Sequence, residues 1–519
     1  MLQSILIGLV AVLGWCEYLT GTAMIQRPIV LGTLVGFILG DPVQGVIIAS
    51  TIHLAFLGAA WIGGTIPVNV IAGAVISTAV ALKTGMGVEG ALALCVPIGT
   101  LYLAVDSVCN FIIQFFVPKF DEACAKGDCK KVKFWHFACF AVFCFMYWLV
   151  TFLTVQYGTD LVGAAFDKIP ESIINGISAG TTLLPALGFA ILINSIWNRK
   201  VGVAFFIGYA LAAYLGMNPV GISILACATG ILYFTLSQNQ LPDFSGTSNV
   251  HQKLNRAELN SIVMRSLTME ASYTYERYQG TGFLYSIMPA LQKYYKEDDE
   301  GLKESLLRHV QMFQTTPAVS TICMGIACAM EEQYAQDKNS LDPSMINSVK
   351  SALMGPLAGI GDSIFWVVLP TIASGVACQF GLKGNVIAPL VFLLIYNIPH
   401  FLVRFLGMYK SYELGLNFVS KLSESNLLER VSTAATMVGL MVTGAMTVNW
   451  VYIATPLVID LGNDMVLNVQ EALDSVLPSM LSLIAVFVMS RLLKKGVKPI
   501  TIMLCCMVLG IICSFLGLL

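Results

Sequence analysis

Long apolar runs separated by a few polar stretches set the pattern of this chain. Runs stand out at about 136–156, 172–197, 202–216, 220–236, 362–379, 386–404, 432–456 and 474–490. Most come near the roughly 20 residues a helix needs to cross a bilayer. A spanning segment must satisfy its own backbone hydrogen bonds, so each run predicts a transmembrane helix. The region before Lys119 is also apolar, but Gly and Pro cut it into shorter pieces. That pattern predicts re-entrant hairpins or discontinuous helices and leaves the crossing count there open. The first residues, 1–12, carry no basic cluster and no small-residue cleavage pattern, so they read as a first membrane segment.

The polar stretches divide the chain. Residues 237–260 contain Gln-Leu-Pro-Asp-Phe-Ser-Gly-Thr-Ser-Asn and break the hydropathy. They read as a cytoplasmic linker between a membrane module at 1–236 and a second module at 261–519. Within the second module, 261–350 mixes charges and aromatics with helix-period apolar residues, which predicts cytoplasmic and interfacial helices; 351–519 returns to membrane helices. Basic residues gather at Lys119–Lys133, Arg199-Lys200 and Arg491–Lys498. The positive-inside rule puts all three clusters in the cytoplasm, and counting spans from either end gives the same answer.

Composition sharpens the class. Of 519 residues 56% are hydrophobic and 12% charged, about half the charge of a soluble domain. The chain is therefore expected to be an all-α polytopic membrane protein of a plasma membrane. Its net charge of −2 gives no reason to expect nucleic acid. The 14 cysteines lie mostly alone in apolar runs, where Cys acts as a small hydrophobe. Cys124 and Cys129, in a polar loop, read as two unrelated thiols and not as a metal site. No metal or cofactor is implied. The chain lacks GxxxxGK[ST], HExxH and Gly-x-Ser-x-Gly, so it shows no nucleotide loop, zinc-protease or hydrolase signature.

Two segments combine small residues with a carboxylate: Leu31 to Pro42, holding Asp41, and Ser351 to Trp366, holding Asp362. A carboxylate at membrane depth is costly, and irregular backbone there must face protein or water. Both segments point to a substrate or ion pathway built from two related modules with discontinuous helices. Inverted repeats are one arrangement this pattern allows.

The second module carries sharper motifs. They are Ser272-Tyr-Thr-Tyr-Glu276-Arg277-Tyr-Gln279-Gly-Thr-Gly282-Phe283, Phe313-Gln-Thr-Thr-Pro317, Ala329-Met-Glu331-Glu332, Leu353 to Asp362 and Tyr396-Asn397. The first has Arg27-Pro28, Gly36 to Asp41, Thr51-Ile-His53-Leu54, Trp61-Ile-Gly-Gly64 and Leu184-Pro-Ala-Leu-Gly. With these motifs the chain resembles enzyme IIC fused to enzyme IID of the mannose family of the bacterial phosphoenolpyruvate-dependent sugar phosphotransferase system. The resemblance implies a permease of the bacterial inner membrane that hands sugar to a separate phosphorylated IIB protein, itself served by IIA. It also implies a homotrimer in contact with membrane lipid. The phosphohistidine belongs to IIB, so no catalytic residue is assigned to this chain. On physics alone a proton- or sodium-coupled secondary sugar transporter fits the broken helices too.

The candidate substrate contacts are Asp41, His53, Asn69, Thr274, Gln279, Gln314, Thr315 and Asp362. Sugars need such groups because each hydroxyl both donates and accepts. Asp41 and Asp362 serve equally as helix caps, and His53 serves equally as a satisfied core residue. The resemblance implies Glu where this chain has His53, and Asn where it has Thr274 and Gln314. These departures point away from plain glucose or mannose and leave an amino sugar, a sugar acid or another derivative open. Glu276, Arg277, Glu331 and Glu332 are candidates for partner contact or structural pairing.

Overall fold

A computed structural model describes residues 1–57, 69–159, 183–197, 200–236, 254–274, 277–339, 342–415 and 427–451, then 453, 455, 458–460, 466–497 and scattered positions from 501 to 512. The linker core and the Trp61-Ile-Gly-Gly64 element lie outside the described residues.

The first module begins with α1 (Leu2–Trp15), continued by a tight turn at Cys16–Leu19. Two short helices follow, α2 (Pro28–Leu39) and α3 (Pro42–Ala55), each opened by a proline, whose missing N–H costs nothing in a first turn. Gly40 joins them with φ of 91°, a left-handed value that only glycine adopts readily. The two helices touch at Gly36 and Gly45. A Cβ on Gly45 would stand 2.6 Å from the Gly36 Cα, so side chains there would force them apart. Then come α4 (Val70–Thr84), α5 (Gly87–Gln114), α6 (Val117–Ala125), α7 (Cys129–Leu153), α8 (Leu184–Ile196), α9 (Val203–Leu215) and α10 (Pro219–Leu236).

The second module holds α11 (Arg256–Ser266), α12 (Gly280–Tyr294), α13 (Asp299–His309), α14 (Ser320–Gln336), α15 (Pro343–Gly361), α16 (Leu369–Gly381), α17 (Ala388–Leu414) and α18 (Leu427–Trp450). A short antiparallel hairpin, β1 (Val458–Asp460) and β2 (Val466–Asn468), leads into α19 (Val469–Val476) and α20 (Met480–Lys494).

Among the described residues five helical stretches are long and apolar enough to cross a membrane: Leu2–Leu19, Gly87–Ala125, Cys129–Gly158, Leu357–Gly381 and Ala388–Glu413. The pair α19 and α20, bent by 78°, makes a sixth if it is one broken span. Helices α2, α3, α4 and α9 are apolar but shorter, in line with the broken pattern read from Gly and Pro. One expectation is corrected. Ser351 to Trp366 is not a break: α15 runs on through a wide π-turn, Asp362–Val368, into α16. The loosened turn lets the helix absorb an extra residue without ending.

The two modules share one interior. Helices α9 and α10 pack on α18, α8 packs on α20, α3 on α16 and α2 on α17. Their common core includes Phe56, Phe189 and Phe205 from the first module and Phe392, Tyr396 and Met441 from the second. A second core gathers Phe283, Leu291, Phe313 and Met324 of the polar-rich region with Phe120 and Val132 of α6 and α7. The charged helices α11–α14 thus form a packed body seated on the first module.

Candidate functional site

The site starts with Glu17, in the tight turn Cys16–Leu19 that follows α1. Its carboxylate is fully buried and accepts N–H bonds from Met24 at 2.8 Å, Ile25 at 2.6 Å and Gln26 at 3.3 Å. This anion shapes the loop after it, where Thr22 and Met24 take φ of 65° and 64°. Left-handed backbone at such residues is strained and must be held in place by its surroundings. Helix α17 of the second module holds the other side. Arg404, fully buried, donates to the Gly21 carbonyl at 3.0 Å and to Ser266 Oγ at 3.1 Å, and Asn397 donates to the Ala23 carbonyl at 2.9 Å.

Gln279 sits beside this junction, at the mouth of α12, with no exposed surface. Its amide nitrogen donates to Glu270 Oε1 at 3.0 Å, and its amide oxygen accepts from the Thr315 N–H at 3.0 Å. Next along, the Thr316 hydroxyl donates to Asp362 Oδ1 at 2.6 Å, at the first residue of the π-turn. Two groups flanking Gln279, Glu270 Oε2 and Thr315 Oγ, are buried and have no hydrogen-bond partner among the described residues. Buried polar atoms are rarely left so. Burial pushes the Glu270 carboxyl up to about 7; the Gln279 bond opposes this, Glu17 adds to it, Arg404 opposes it, and Asp362 adds to it.

The sequence candidates are therefore dispersed. Gln279, Thr315 and Asp362 belong to one connected strip. Asp41 is exposed and caps α3, accepting from the Gln44 N–H at 3.0 Å; no contact among the described residues joins it to Asp362. His53 is buried and pairs with Ser374 Oγ at 2.7 Å across the module boundary. Asn69 spends both ends of its amide, accepting from the Ala72 N–H at 2.9 Å and donating to Asp106 at 2.8 Å and Tyr147 at 2.5 Å. Thr274 accepts from the Arg277 N–H at 3.3 Å. Gln314 is exposed, with its N–H 3.2 Å from Met354 Sδ. Arg277 grips Asp121 of α6 through both guanidinium nitrogens, at 2.5 and 2.6 Å, beside an open cleft of about 630 Å³ lined by Glu122, Leu307, Gln311 and Met312. Glu276 lies outside the described residues. Glu331 and Glu332 are buried, at 0% and 2% exposure, so neither forms a docking surface. Glu331 accepts from Arg308, His309 at 2.8 Å and Tyr295 at 2.6 Å. Burial would raise its carboxyl, but the His309 bond, the Arg308 charge and the Tyr295 hydroxyl hold it down at about 2. Glu332 accepts from Tyr294 and Tyr412.

Two family models cover nearly all of this chain. One, described as the PTS system mannose/fructose/sorbose family IID component, matches residues 253–519. The other, described as the PTS system sorbose-specific IIC component, matches residues 1–232. The chain belongs to the mannose family of the phosphotransferase system. Relatives agree. The mannose-specific EIID component of Escherichia coli K12 is 32% identical over 279 residues, 52% of this chain and 98% of that protein. The sorbose-specific EIID component of Klebsiella pneumoniae is 34% identical over 273 residues, 52% of this chain and 98% of that protein. The mannose-specific EIIC component of the same E. coli strain is 24% identical over 237 residues, 46% of this chain and 89% of that protein. This mannose-family permease therefore joins IIC and IID in one polypeptide. It is an integral membrane protein that moves a sugar and couples the movement to phosphorylation.

Several polar residues of this permease escaped the motif reading. Glu17 and Arg404 are single ionisable residues in apolar runs, and that alone marks a functional candidate. His136 bonds Ser272 Oγ at 2.7 Å and Thr268 Oγ at 3.1 Å, tying α7 to the loop that carries Glu270. Its sequence neighbours gave no sign of this. Asp106 and Tyr147 are also single polar groups on apolar helices, and their bond at 2.6 Å appears only once α5 meets α7.

Proposed function

We propose that the sugar is held along the strip Glu270–Gln279–Thr315–Thr316–Asp362 and passed to a phospho-IIB protein approaching the cleft beside Arg277 and Asp121. The observation that carries this reading is Gln279, buried and flanked by two buried polar atoms with no partner among the described residues. A sugar supplies donors and acceptors to both. The strip also joins the first module through Glu17 and Arg404, so a sugar bound there would sense movement between the modules. The cleft suits a protein partner, since Leu307 and Met312 are exposed apolar residues on a charged, non-lipid body. IIA serves as the donor to IIB. The permease works as a homotrimer, with exposed Leu101, Phe111, Ile224, Leu232, Ile398 and Leu402 available to lipid or to neighbouring copies.

The test is a panel of hexoses and derivatives assayed for phosphosugar formation with the cognate phospho-IIB. Gln279→Ala and Thr315→Ala should each raise KM, since one buried hydrogen-bonding group is worth about 1–3 kcal/mol, or roughly 5- to 150-fold. Unchanged KM in both variants would move the site elsewhere. Chemical crosslinking of the purified permease tests the trimer.

A further inference from the structure

The corner where α6 turns into α7 carries more positive charge than its own carboxylates answer. Between Lys119 and Lys133 stand five lysines and three carboxylates. Glu122 takes Lys126 at 2.6 Å and Lys119 at 3.9 Å, Asp128 takes Lys131 at 3.4 Å, and Asp121 is held by Arg277. Lys130 and Lys133, both exposed, form no ion pair among the described residues. They lie in the first turns of α7, where free backbone N–H groups already present positive charge. Further cations are disfavoured there unless an anion from outside meets them.

Arg265 of α11 adds a third cation with no carboxylate partner among the described residues. Its guanidinium lies over the Tyr285 ring at 5.0 Å, and Nη1 is sealed from solvent with no hydrogen-bond partner among them. Tyr285 stacks on His136 at 4.5 Å and meets Phe137 edge-on at 5.6 Å, and the charge of Arg265 reaches Cys129. Cys129, His136 and Phe137 form one stripe of α7, and Lys133, four residues on from Cys129, lies on the same stripe. Lys133 of the first module and Arg265 of the second therefore border one gap.

The surroundings say which anion fits. Phe134 and Phe115 are 62% and 65% exposed beside the lysines, and Trp135 packs on Phe116 at 5.2 Å. From this turn onward α7 is long and apolar enough to cross a membrane. The gap thus opens at the level where hydrocarbon gives way to headgroups. The cleft beside Arg277 lies against α6 and α13, whereas this gap lies against α11 and α12. A guanidinium suits phosphate, which it can hold through two parallel N–H groups.

We infer that this corner binds the headgroup phosphate of an anionic phospholipid, with Arg265 and Lys133 as its ligands and Lys130 adding charge outside them. Because the two ligands come from different modules, the bound lipid ties the charged body of α11–α14 to α7. The lipid site is separate from the sugar strip and from the IIB cleft.

The test uses the full-length permease in a neutral detergent. It is titrated with phosphatidylglycerol, phosphatidylcholine or inorganic phosphate and read by native mass spectrometry and thermal melting. Phosphatidylglycerol is expected to stay bound and to raise the melting temperature; the other two are expected to do neither. Lys133→Gln, at an exposed position where folding is preserved, and Arg265→Gln should each weaken phosphatidylglycerol binding about fivefold, the worth of one cation at a membrane surface. Arg265→Lys should keep part of the binding, and Lys383→Gln, exposed between α16 and α17, all of it. Equal retention of phosphatidylcholine would overturn the lipid site, as would the same rise in melting with inorganic phosphate alone. So would unchanged binding in both Gln variants, or a loss in Lys383→Gln as large as in Lys133→Gln. Weaker phospho-IIB binding in Lys133→Gln with phosphatidylglycerol binding intact would give these charges to the protein partner and overturn it as well.

Discussion

Replacing Glu331 by Gln should destabilise the folded permease by about 3 kcal/mol. The magnitude follows from two independent arguments. The carboxyl falls from an ordinary 4.5 to about 2 on folding, and each unit is worth about 1.4 kcal/mol. Removing one partner of a buried ion pair separately costs about 3–5 kcal/mol, because Arg308 is left with a buried uncompensated charge. A depressed carboxyl stabilises fully above its unfolded value. This contribution is therefore complete above pH 4.5 and is lost as pH falls toward 2. The assay is thermal melting of the detergent-solubilised protein, where about 3 kcal/mol corresponds to a drop on the order of 3 °C for a chain of this length. Adding Arg308→Met to Glu331→Gln should restore part of the loss, since removing both partners removes the stranded charge. A Glu331→Gln variant that melts with the wild type, or a double variant worse than the single, would refute the reasoning.

Other expectations follow from the same contacts. Asp121→Ala and Arg277→Ala should each lower IIB-dependent phosphorylation more than melting temperature, since a half-exposed pair is worth about 1 kcal/mol or less; the exchanged pair Asp121→Arg with Arg277→Asp should restore activity. Lys350→Met should raise the melting temperature. Burial lowers its ammonium from 10.5 to about 8, so its charge is a burden at neutral pH that eases as pH rises from 8 toward 10.5, and a drop in melting on substitution would reveal a role for the charge. Gly208→Ala should abolish folded protein on size-exclusion chromatography, because a Cβ there would run into the Met441 carbonyl where α9 crosses α18.

Much of the membrane architecture was legible because hydropathy is a property of single segments. The run at 136–156 falls on α7, 386–404 on α17 and 432–456 on α18. Where the sequence misled, a local signal had two physical outcomes. Gly and Pro around Asp41 do end a helix, and Asp41 caps the next. The similar residues before Asp362 are absorbed by a π-turn within a continuous helix. The site was less legible, since its decisive features are pairings between distant positions. Gln279 could be read from its motif, but its bonds to Glu270 and Thr315 could not. Nor could the grip of Arg404 on Gly21, at a sequence separation of 383. Asn69 and His53 were candidates by residue type; their contacts with Asp106, Tyr147 and Ser374 could not be read from the sequence.

The central claim is that sugar entry depends on a phosphorylated partner. Sealed vesicles containing the permease should take up the preferred sugar and recover it inside as phosphosugar only when phosphoenolpyruvate and the IIA and IIB proteins are supplied, with no change on adding a protonophore. Accumulation of free sugar without IIB, collapsing with the protonophore or with removal of sodium, would contradict the account.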